Sequence, residues 1–179
     1  MNNLKTLFIL HNSLFMIKSI VVAASTNNAI GKNNQLLWHL PNDLKFLKNK
    51  TWAMPVLMGR KSYESLGKPL NGRVNIVLTS SKFFKADGVV IVNSLRDADF
   101  FTKSNDYNEL MILGGAHVYE QLINDCDNIY ITRVDHVFED ADAFFPSIDE
   151  KKWKLVWNED HFKDEKHAYD YSFQQWKRK

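Results

Sequence analysis

Short apolar runs that alternate with segments of helical pattern constrain the fold of this chain more than any other feature. The runs are nearly continuous rather than alternating in polarity, which is typical of strands buried on both faces of a sheet. They cover residues 19–25, 55–59, 74–79, 89–92, 110–113 and 128–134. Helices are predicted between them at residues 41–50, 60–66, 95–102 and 117–124. Strands and helices that alternate at this spacing predict an α/β fold with a largely parallel sheet.

The C-terminal part of the chain departs from this rhythm. Residues 153–159 and 169–176 alternate apolar and polar side chains, and no helical segment lies between them. This pattern predicts an antiparallel hairpin at one edge of the sheet. The predicted fold class is therefore α/β, a single domain with a mixed, mostly parallel central sheet of about eight strands, flanking helices and a C-terminal antiparallel hairpin.

Length and composition fit one folded domain. A chain of 179 residues with 45% hydrophobic residues can bury a sizeable core. Its 23 basic and 21 acidic residues leave a net charge of +2, so the charge does not indicate a nucleic-acid partner. The single cysteine, Cys126, excludes an intrachain disulfide and a cysteine-based metal site, and fits a reducing cytoplasm. Nothing in the pattern marks an exposed apolar face, so we expect a monomer.

The N-terminal segment needs a separate interpretation. Residues 1–15 faintly resemble a short signal peptide, because Lys5 precedes an apolar run at 7–10. His11, Asn12 and Ser13 interrupt that run, which leaves it too short to span a membrane. We therefore expect residues 1–15 to be an extension outside the fold, and residues 16–179 to form the folded domain.

Asp43 is the only carboxylate between residues 35 and 48. Pro41 indicates a helix start, so Asp43 falls in the first turn with Phe46 and Leu47 on the same side of the helix. One interpretation is an acid that only complements the helix dipole at a solvated N-terminus. The other is a partly buried carboxylate that binds a cationic or amidine-like group through charge-assisted hydrogen bonds.

Three predicted strands end in residues suited to an anionic ligand. Residues 58–62 combine a glycine, two cations and a hydroxyl, residues 78–82 carry hydroxyls and a cation, and residues 113–116 contain paired glycines before a helix. Ligands of open α/β sheets bind at the carboxyl ends of strands, and helix N-termini attract anions. Together these segments predict a site for a phosphate-rich ligand. The alternative is that each is an ordinary strand-to-helix turn, since neither a G-x-G-x-x-G nor a Walker sequence occurs.

Seven segments recur in an order and spacing that identify a family. They are residues 28–32, 37–43, 56–61, 64–73, 75–80, 114–119 and 129–132. The Trp-x-x-Pro-x-Asp sequence that ends at Asp43 and the Met-Gly-Arg sequence that ends at Arg60 are specific in combination. The chain resembles the dihydrofolate reductase family, of the bacterial chromosomal type, over residues 17–177.

This resemblance implies an oxidoreductase that uses NADPH to reduce 7,8-dihydrofolate to 5,6,7,8-tetrahydrofolate for one-carbon metabolism and thymidylate synthesis. Hydride passes to C6 of the substrate and a proton to N5. The implied partners are the small-molecule substrate and antifolate inhibitors, with no nucleic acid, no membrane and no metal.

The resemblance also implies a substrate site. Asp43 matches the carboxylate that binds the pterin N3 and 2-amino group, Thr132 the hydroxyl that supports it, and Arg73 the arginine that pairs with the α-carboxylate of the glutamate tail. Trp38 matches a tryptophan that packs at the site and helps to hold a water, and Trp38 and Leu36 join Asp43 as catalytic residues. The other implied substrate contacts are Val21, Val22, Leu44, Leu47, Leu66, Lys68, Leu70, Leu113 and Tyr119. Each of the leucines can instead be a plain core residue.

The implied cofactor site covers the three strand ends and the loop at 25–40, which closes over the nicotinamide. Ala23, Ile30, Gly31 and Leu36 are implied to flank the nicotinamide, while Arg60, Ser80 and Ser81 meet the 2′-phosphate. Lys61, Ser62 and the segment Gly114, Gly115, Ala116, His117, Val118, Tyr119 are implied to contact the diphosphate and ribose. The remaining implied contacts are Gly59, Leu78, Thr79, Leu113 and Gln121. A cis peptide bond is implied between Gly114 and Gly115, and His117 stands where the family often has an arginine.

Two other functions stay open at this point. A reductase of the same general fold that acts on a pyrimidine intermediate of flavin synthesis shares the glycine and cofactor features, but is not expected to carry both Asp43 and Arg73. A non-catalytic folate- or nucleotide-binding protein keeps the pocket without turnover.

The remaining acidic and histidine residues give no clear sign of a functional site. Asp135, Glu139, Asp140 and Asp142 with His136 invite a metal site, but their spacing favours a solvated acidic loop. His11, His161 and His167 show no partner pattern and are expected at the surface.

Overall fold

The computed structural model describes residues 16–179, and residues 1–15, including His11, lie outside the described part. The strands are β1 Ile17–Ser25, β2 Ala29–Gly31, β3 Pro55–Gly59, β4 Val74–Leu78, β5 Val90–Val92, β6 Glu109–Ile112, β7 Asn128–Val134, β8 Ala143–Phe144, β9 Trp153–His161 and β10 Tyr171–Arg178. The helices are α1 Pro41–Thr51, α2 Arg60–Leu66, α3 Leu95–Ser104 and α4 Ala116–Leu122, and a 3₁₀ turn at Ile123–Asp125 follows α4.

Eight of the strands form one central sheet in the order β5-β4-β3-β6-β1-β7-β10-β9. The strands from β5 to β7 pair in parallel, whereas β10 pairs antiparallel with both β7 and β9. The predicted α/β class, the mostly parallel sheet and the C-terminal hairpin are therefore confirmed.

The continuous apolar character of the central strands has a direct structural reason. Neighbouring residues of one strand enter different core clusters: Ile20 and Leu57 lie in one, whereas Val21 and Met58 lie in the other. Because successive side chains point to opposite faces of a strand, both faces of the sheet are covered. Leu47 of α1 packs on the Val21 side, so α1 lies over the face that carries Val21 and Met58.

The local departures from prediction are small. The predicted loop at 26–35 contains the short strand β2, which pairs with β8 in a separate two-stranded sheet. A three-residue strand is too short to show a periodicity in the sequence. The helix predicted at 117–124 begins one residue earlier and gives way to the 3₁₀ turn after Leu122. Ser94 caps α3 as predicted, since its side chain accepts a hydrogen bond from the Asp97 N–H.

Candidate active site

A large cleft lies where β1, β3, β4 and β6 end. Its volume is about 1760 Å³, against roughly 300–1,000 Å³ for a pocket that binds one drug-sized ligand. The cleft therefore has room for two ligands side by side. Most of the residues implied by the family resemblance line it: Val21, Val22, Ala23, Ile30, Gly31, Leu36, Asp43, Leu44, Leu47, Gly59, Arg60, Lys61, Ser62, Leu66, Leu70, Leu78, Thr79, Ser80, Leu113, Gly115, Ala116, His117, Val118, Tyr119 and Gln121.

Six implied residues do not line the cleft: Trp38, Lys68, Arg73, Ser81, Gly114 and Thr132. Thr132 and Gly114 are buried directly behind lining residues, and Lys68 is exposed in the turn between α2 and β4. The Ser81 N–H donates to the Thr79 hydroxyl at 3.2 Å. In the described part of the chain, Thr132 is the only one of these six residues whose own side chain forms a hydrogen bond to a residue of the cleft wall.

Large apolar side chains of the cleft wall are exposed. Leu36 is 61% exposed, Leu44 50% and Leu66 46%, although all three are leucines in a protein with a well-buried core. Exposed apolar side chains grouped around a concave site indicate a surface that a ligand covers. This arrangement suits a ligand with flat apolar rings.

Asp43 is held at the start of α1 with its carboxylate against β7. Pro41 occupies the first position of the helix, and Asp43 lies in the first turn. The Thr132 hydroxyl, on a fully buried residue, donates to Asp43 Oδ1 at 2.6 Å. Burial raises the pKa of Asp43, and the hydrogen bond from Thr132 opposes that rise. The structure disfavours the interpretation of Asp43 as a solvated helix-dipole partner, because this side chain is half-buried and its carboxylate is paired with Thr132.

The raised pKa of Asp43 predicts how stability depends on pH. The folded protein holds a proton on Asp43 more readily than the unfolded chain, so this contribution to stability is fully present below the ordinary pKa of aspartate and is lost as pH rises through the raised pKa. We therefore expect Asp43→Asn to increase the free energy of unfolding at neutral pH, where the wild type must bury a charge.

Urea unfolding at neutral pH and at an acid pH below the ordinary aspartate pKa measures this effect. The advantage of Asp43→Asn should shrink at acid pH, and an equal difference at both pH values would contradict the electrostatic cause. Asp97→Asn is the matched control, because Asp97 also lies in the first turn of a helix but is exposed.

Trp38 precedes the start of α1, and Arg73 lies beside its C-terminal turn. Trp38 is 8% exposed, and its buried indole Nε1 has no hydrogen-bond partner within residues 16–179. A buried indole N–H normally finds a partner, so this one is available to water or ligand. The Arg73 guanidinium donates to Thr51 Oγ1 at 3.0 Å and to the carbonyls of Asn71 and Lys48, at 2.7 and 3.1 Å. These bonds fix its orientation beside α1.

A glycine turn forms the wall of the cleft after β6. The Gly114–Gly115 peptide bond is cis, as the resemblance implies, and the Gly59 N–H donates to the Gly114 carbonyl at 2.7 Å. A Cβ atom on Gly115 would lie 2.8 Å from Ser62 Oγ. Tyr119 donates its hydroxyl to the Val21 carbonyl at 3.0 Å, and burial, with the nearby charge of Asp43, raises its pKa strongly, so this phenol stays neutral.

Cations and hydroxyls follow β3 on the same wall. Arg60 and Lys61 are exposed, and the Arg60 guanidinium lies 3.3 Å from Glu64 Oε1. His117 is also exposed, and its Nε2 lies 2.7 Å from Gln121 Nε2. Two exposed cations, a hydroxyl and glycine backbone without side chains form a surface that fits a phosphate-rich ligand.

Sequence reasoning missed part of the cleft wall. The additional lining residues are Lys32, Asn33, Asn34, Gln35, Met58, Glu64, Ser65, Asn93, Ser94, Leu95, Asp142 and Ala143. Residues 93–95 follow the end of β5, so the rule that ligands bind at strand ends could have found them. Asp142 and Ala143 lie at the start of β8, which is distant in sequence from the rest of the wall and for which the sequence carries no signal.

The acidic segment is exposed, as expected, and two of its carboxylates also bond to the loop that follows β2. The Asp140 carboxylate accepts from Lys32 Nζ at 2.5 Å, and Asp142 Oδ2 accepts from the Asn33 N–H at 2.8 Å. These acids therefore hold the loop that follows β2. Within residues 16–179, no group of three or more His, Cys, Asp or Glu side chains could hold a metal ion.

The expectation that the C-terminal histidines lie at the surface is wrong. His167 is only 4% exposed, and the His161 side chain is 28% exposed and stacks on Tyr171 with ring centroids 4.9 Å apart. Besides the nearby carboxylates of Asp164 and Glu159, their neighbours are a backbone N–H and aromatic rings from other elements, which a search for side-chain motifs does not reveal.

Comparison with known proteins identifies the family. Residues 16–178 match the sequence model described as dihydrofolate reductase. The chain belongs to the dihydrofolate reductase family. It is 42% identical over 161 residues to the dihydrofolate reductase of Bacillus subtilis, a match that covers 90% of this chain and 94% of that protein. It is 39% identical over 158 residues to the dihydrofolate reductase of Haemophilus influenzae, covering 88% of this chain and 96% of that protein.

A solved structure of another dihydrofolate reductase shares the fold. The Enterococcus faecalis dihydrofolate reductase, complexed with NADP(H) and RAB-propyl, superposes with a TM-score of 0.84 at 36% identity. The match covers 92% of this chain and 98% of that chain. No helix among residues 16–179 is both long and apolar enough to cross a membrane.

Proposed function

We propose that this protein catalyses the NADPH-dependent reduction of 7,8-dihydrofolate to 5,6,7,8-tetrahydrofolate. The observation that carries the proposal is the half-buried Asp43 carboxylate, paired with Thr132 at 2.6 Å, in the wall of a cleft large enough for two ligands. Membership of the dihydrofolate reductase family supports the same conclusion.

The substrate would be bound by hydrogen bonds at its pterin end and by apolar contacts along its length. The two Asp43 oxygens can accept from the pterin N3–H and 2-amino group in parallel, a geometry in which a carboxylate is matched to a planar pair of donors. Leu44, Leu47 and Leu70 line the cleft beside Asp43 and would cover the rings. Arg73, which three hydrogen bonds orient beside α1, would pair with the glutamate carboxylate.

The residues present fit NADPH. At Gly114 and Gly115 a Cβ atom would collide with neighbouring side chains, so the backbone there stays accessible to a ligand. Arg60 and Lys61 carry positive charge that complements phosphate. Arg60 and Ser80 would hold the 2′-phosphate, Ser62 and residues 115–119 the diphosphate and ribose, and Ala23 and Ile30 the nicotinamide. When bound, NADPH supplies the hydride that C6 of dihydrofolate receives.

The protein contributes placement and electrostatics to the reaction. Asp43 orients and polarises the pterin. The neutral Tyr119 bonds to the Val21 carbonyl and packs against Gly114, which fixes the glycine turn at 114–115. Trp38 presents a buried N–H without a protein partner in the described part of the chain, which suits a role in holding an ordered water. A water that the loop at 25–40 admits delivers the proton to N5, and closure of this loop excludes the bulk solvent.

An absorbance assay tests the proposal. Purified protein with NADPH and dihydrofolate should show a fast loss of the reduced-nicotinamide absorbance, and NADH should be used poorly. Binding of both ligands without oxidation would favour a binding protein. Oxidation with an aminopyrimidine intermediate of flavin synthesis, but not with dihydrofolate, would favour the other reductase.

Arg60→Gln should separate the two nicotinamide cofactors. Because Arg60 would make a charge-assisted hydrogen bond to the 2′-phosphate, which NADH lacks, we expect the KM for NADPH to rise about tenfold and the KM for NADH to stay within about twofold. Steady-state kinetics with both cofactors measure the effect. Arg96→Gln is the control, since Arg96 is an exposed arginine outside the cleft wall. Equal losses with both cofactors would show that Arg60 does not contact the 2′-phosphate.

The proposal extends to the oligomeric state and the cellular location of the protein. We infer a monomer in the cytoplasm whose folded unit is residues 16–179, with residues 1–15 outside it. The family match to residues 16–178 and the single, buried Cys126 support this inference. Sedimentation velocity across a range of concentrations tests the monomer. Antifolates are expected to compete with dihydrofolate at Asp43.

A further inference from the structure

His167 makes an unusual contact with the helix that carries Asp43. It lies between β9 and β10, far along the chain, yet it is 4% exposed and its Nε2 lies 3.4 Å from the Asn42 N–H nitrogen. Asn42 immediately precedes Asp43, and its side-chain amide donates to the Tyr171 hydroxyl at 2.8 Å. The first turn of α1 is therefore held at two points, by His167 of the connection between β9 and β10 and by Tyr171 at the start of β10.

The hydrogen bonds of His167 fix its tautomer. Its Nδ1 lies 2.7 Å from Asp164 Oδ1, and the same carboxylate oxygen accepts from the His167 and Lys166 backbone N–H groups. A carboxylate oxygen can only accept, so the proton lies on Nδ1. The Nε2 atom is then an acceptor, which is what the Asn42 N–H requires.

The first turn of α1 has no local cap. Its N-cap residue is Leu40, which makes no side-chain cap hydrogen bond, and Pro41 has no N–H to satisfy. The Asp43 N–H donates to the Leu40 carbonyl at 3.1 Å, so the Asn42 N–H is the group that needs an acceptor. An acid at the third helical position often serves the cap itself, but Asp43 is engaged with Thr132.

We propose that His167 is a positioning residue for Asp43, acting as a long-range helix cap through Nε2. By holding the Asn42 N–H, His167 keeps the first turn of α1 from fraying and keeps the Asp43 carboxylate aimed into the cleft. The inference rests on the proposed function for the identity of the ligand that Asp43 binds.

Three substitutions separate the cap from the packing of the ring. His167→Gln can place an oxygen acceptor near the Nε2 position, His167→Asn can keep only a donor near the Nδ1 position, and His167→Phe keeps only the ring beside Tyr171. His161→Asn is the control, because His161 also stacks on Tyr171 but makes no hydrogen bond to α1 within the described residues.

Calorimetric titration of each variant with dihydrofolate and with NADPH, beside turnover and thermal unfolding, tests the proposal. We expect His167→Asn and His167→Phe to weaken dihydrofolate binding about fivefold, the factor that corresponds to a lost cap, with NADPH binding unchanged and His167→Gln within about twofold of wild type. Unchanged dihydrofolate affinity in the Asn and Phe variants, equal weakening for both ligands, or no rescue by Gln would overturn it. Absence of turnover in the wild type would instead refute the proposed function. The titrations would still test the positioning of Asp43, because they measure binding and not turnover.

Discussion

Asp43→Asn is expected to lower kcat/KM for dihydrofolate by about 10²- to 10⁴-fold, the range typical of a group that acts on the reacting centre. The asparagine keeps the shape of the side chain and can still accept from Thr132. It loses the negative charge and presents an NH₂ group where the carboxylate would accept the second hydrogen bond from the pterin. Steady-state kinetics at saturating NADPH measure the loss.

The control for this substitution is Asp97→Asn, which changes the same residue type at the same helical position outside the site. It should leave kcat/KM unchanged. NADPH affinity should be retained in Asp43→Asn, because none of the residues proposed to hold the cofactor is altered. A mutant that matches the wild type at every substrate concentration would show that the catalytic carboxylate is elsewhere.

Gly114→Ala should produce the largest structural effect. Gly114 has φ of +106°, and a Cβ atom there would lie 2.9 Å from three atoms of the Tyr119 ring and hydroxyl. The added methyl must displace Tyr119, which loses its bond to the Val21 carbonyl. We expect a loss of about 2–5 kcal/mol in the free energy of unfolding, and NADPH affinity at least about tenfold weaker.

Gly67→Ala is the matched control, because Gly67 also has a positive φ, +72°, but a Cβ there would meet nothing within 4 Å. Its cost should be limited to backbone strain, about 1 kcal/mol, with NADPH affinity unchanged. Urea unfolding and calorimetric titration measure both quantities. If the two variants were equally destabilised, close packing at Gly114 would not be the cause.

The sequence predicts the sheet well because strand and helix patterns are local. The strand at residues 128–134 is predicted with the same bounds as β7, and Ser94 caps its helix, since both depend on residues close together in the chain. The lining residues found through the family resemblance follow the strand ends. Short elements such as β2 escape prediction because three residues cannot show a period.

Contacts between distant segments account for most of what the sequence could not predict. The hydrogen bond between Thr132 and Asp43 spans 89 residues, and that between Asn42 and His167 spans 125. The resemblance supplied the first of these pairs, but no pattern in the chain links the second. The hydrogen bond from the Asn33 N–H to Asp142 likewise joins two segments that are distant in sequence, so the exposed acidic segment gave no sign of it.

The place of β10 in the sheet has a consequence for how the protein is made. β7 carries Thr132, and its free side is paired by β10, which leaves the ribosome after the other strands of this sheet. Until residues 171–178 have emerged, β7 is an unpaired edge strand of the nascent chain. Such an edge can pair with strands of other chains and cause aggregation. The support of Asp43 by Thr132 and the packing around Tyr171 are thus completed last. A prematurely terminated chain of this protein would be an aggregation hazard to the cell rather than a weaker enzyme.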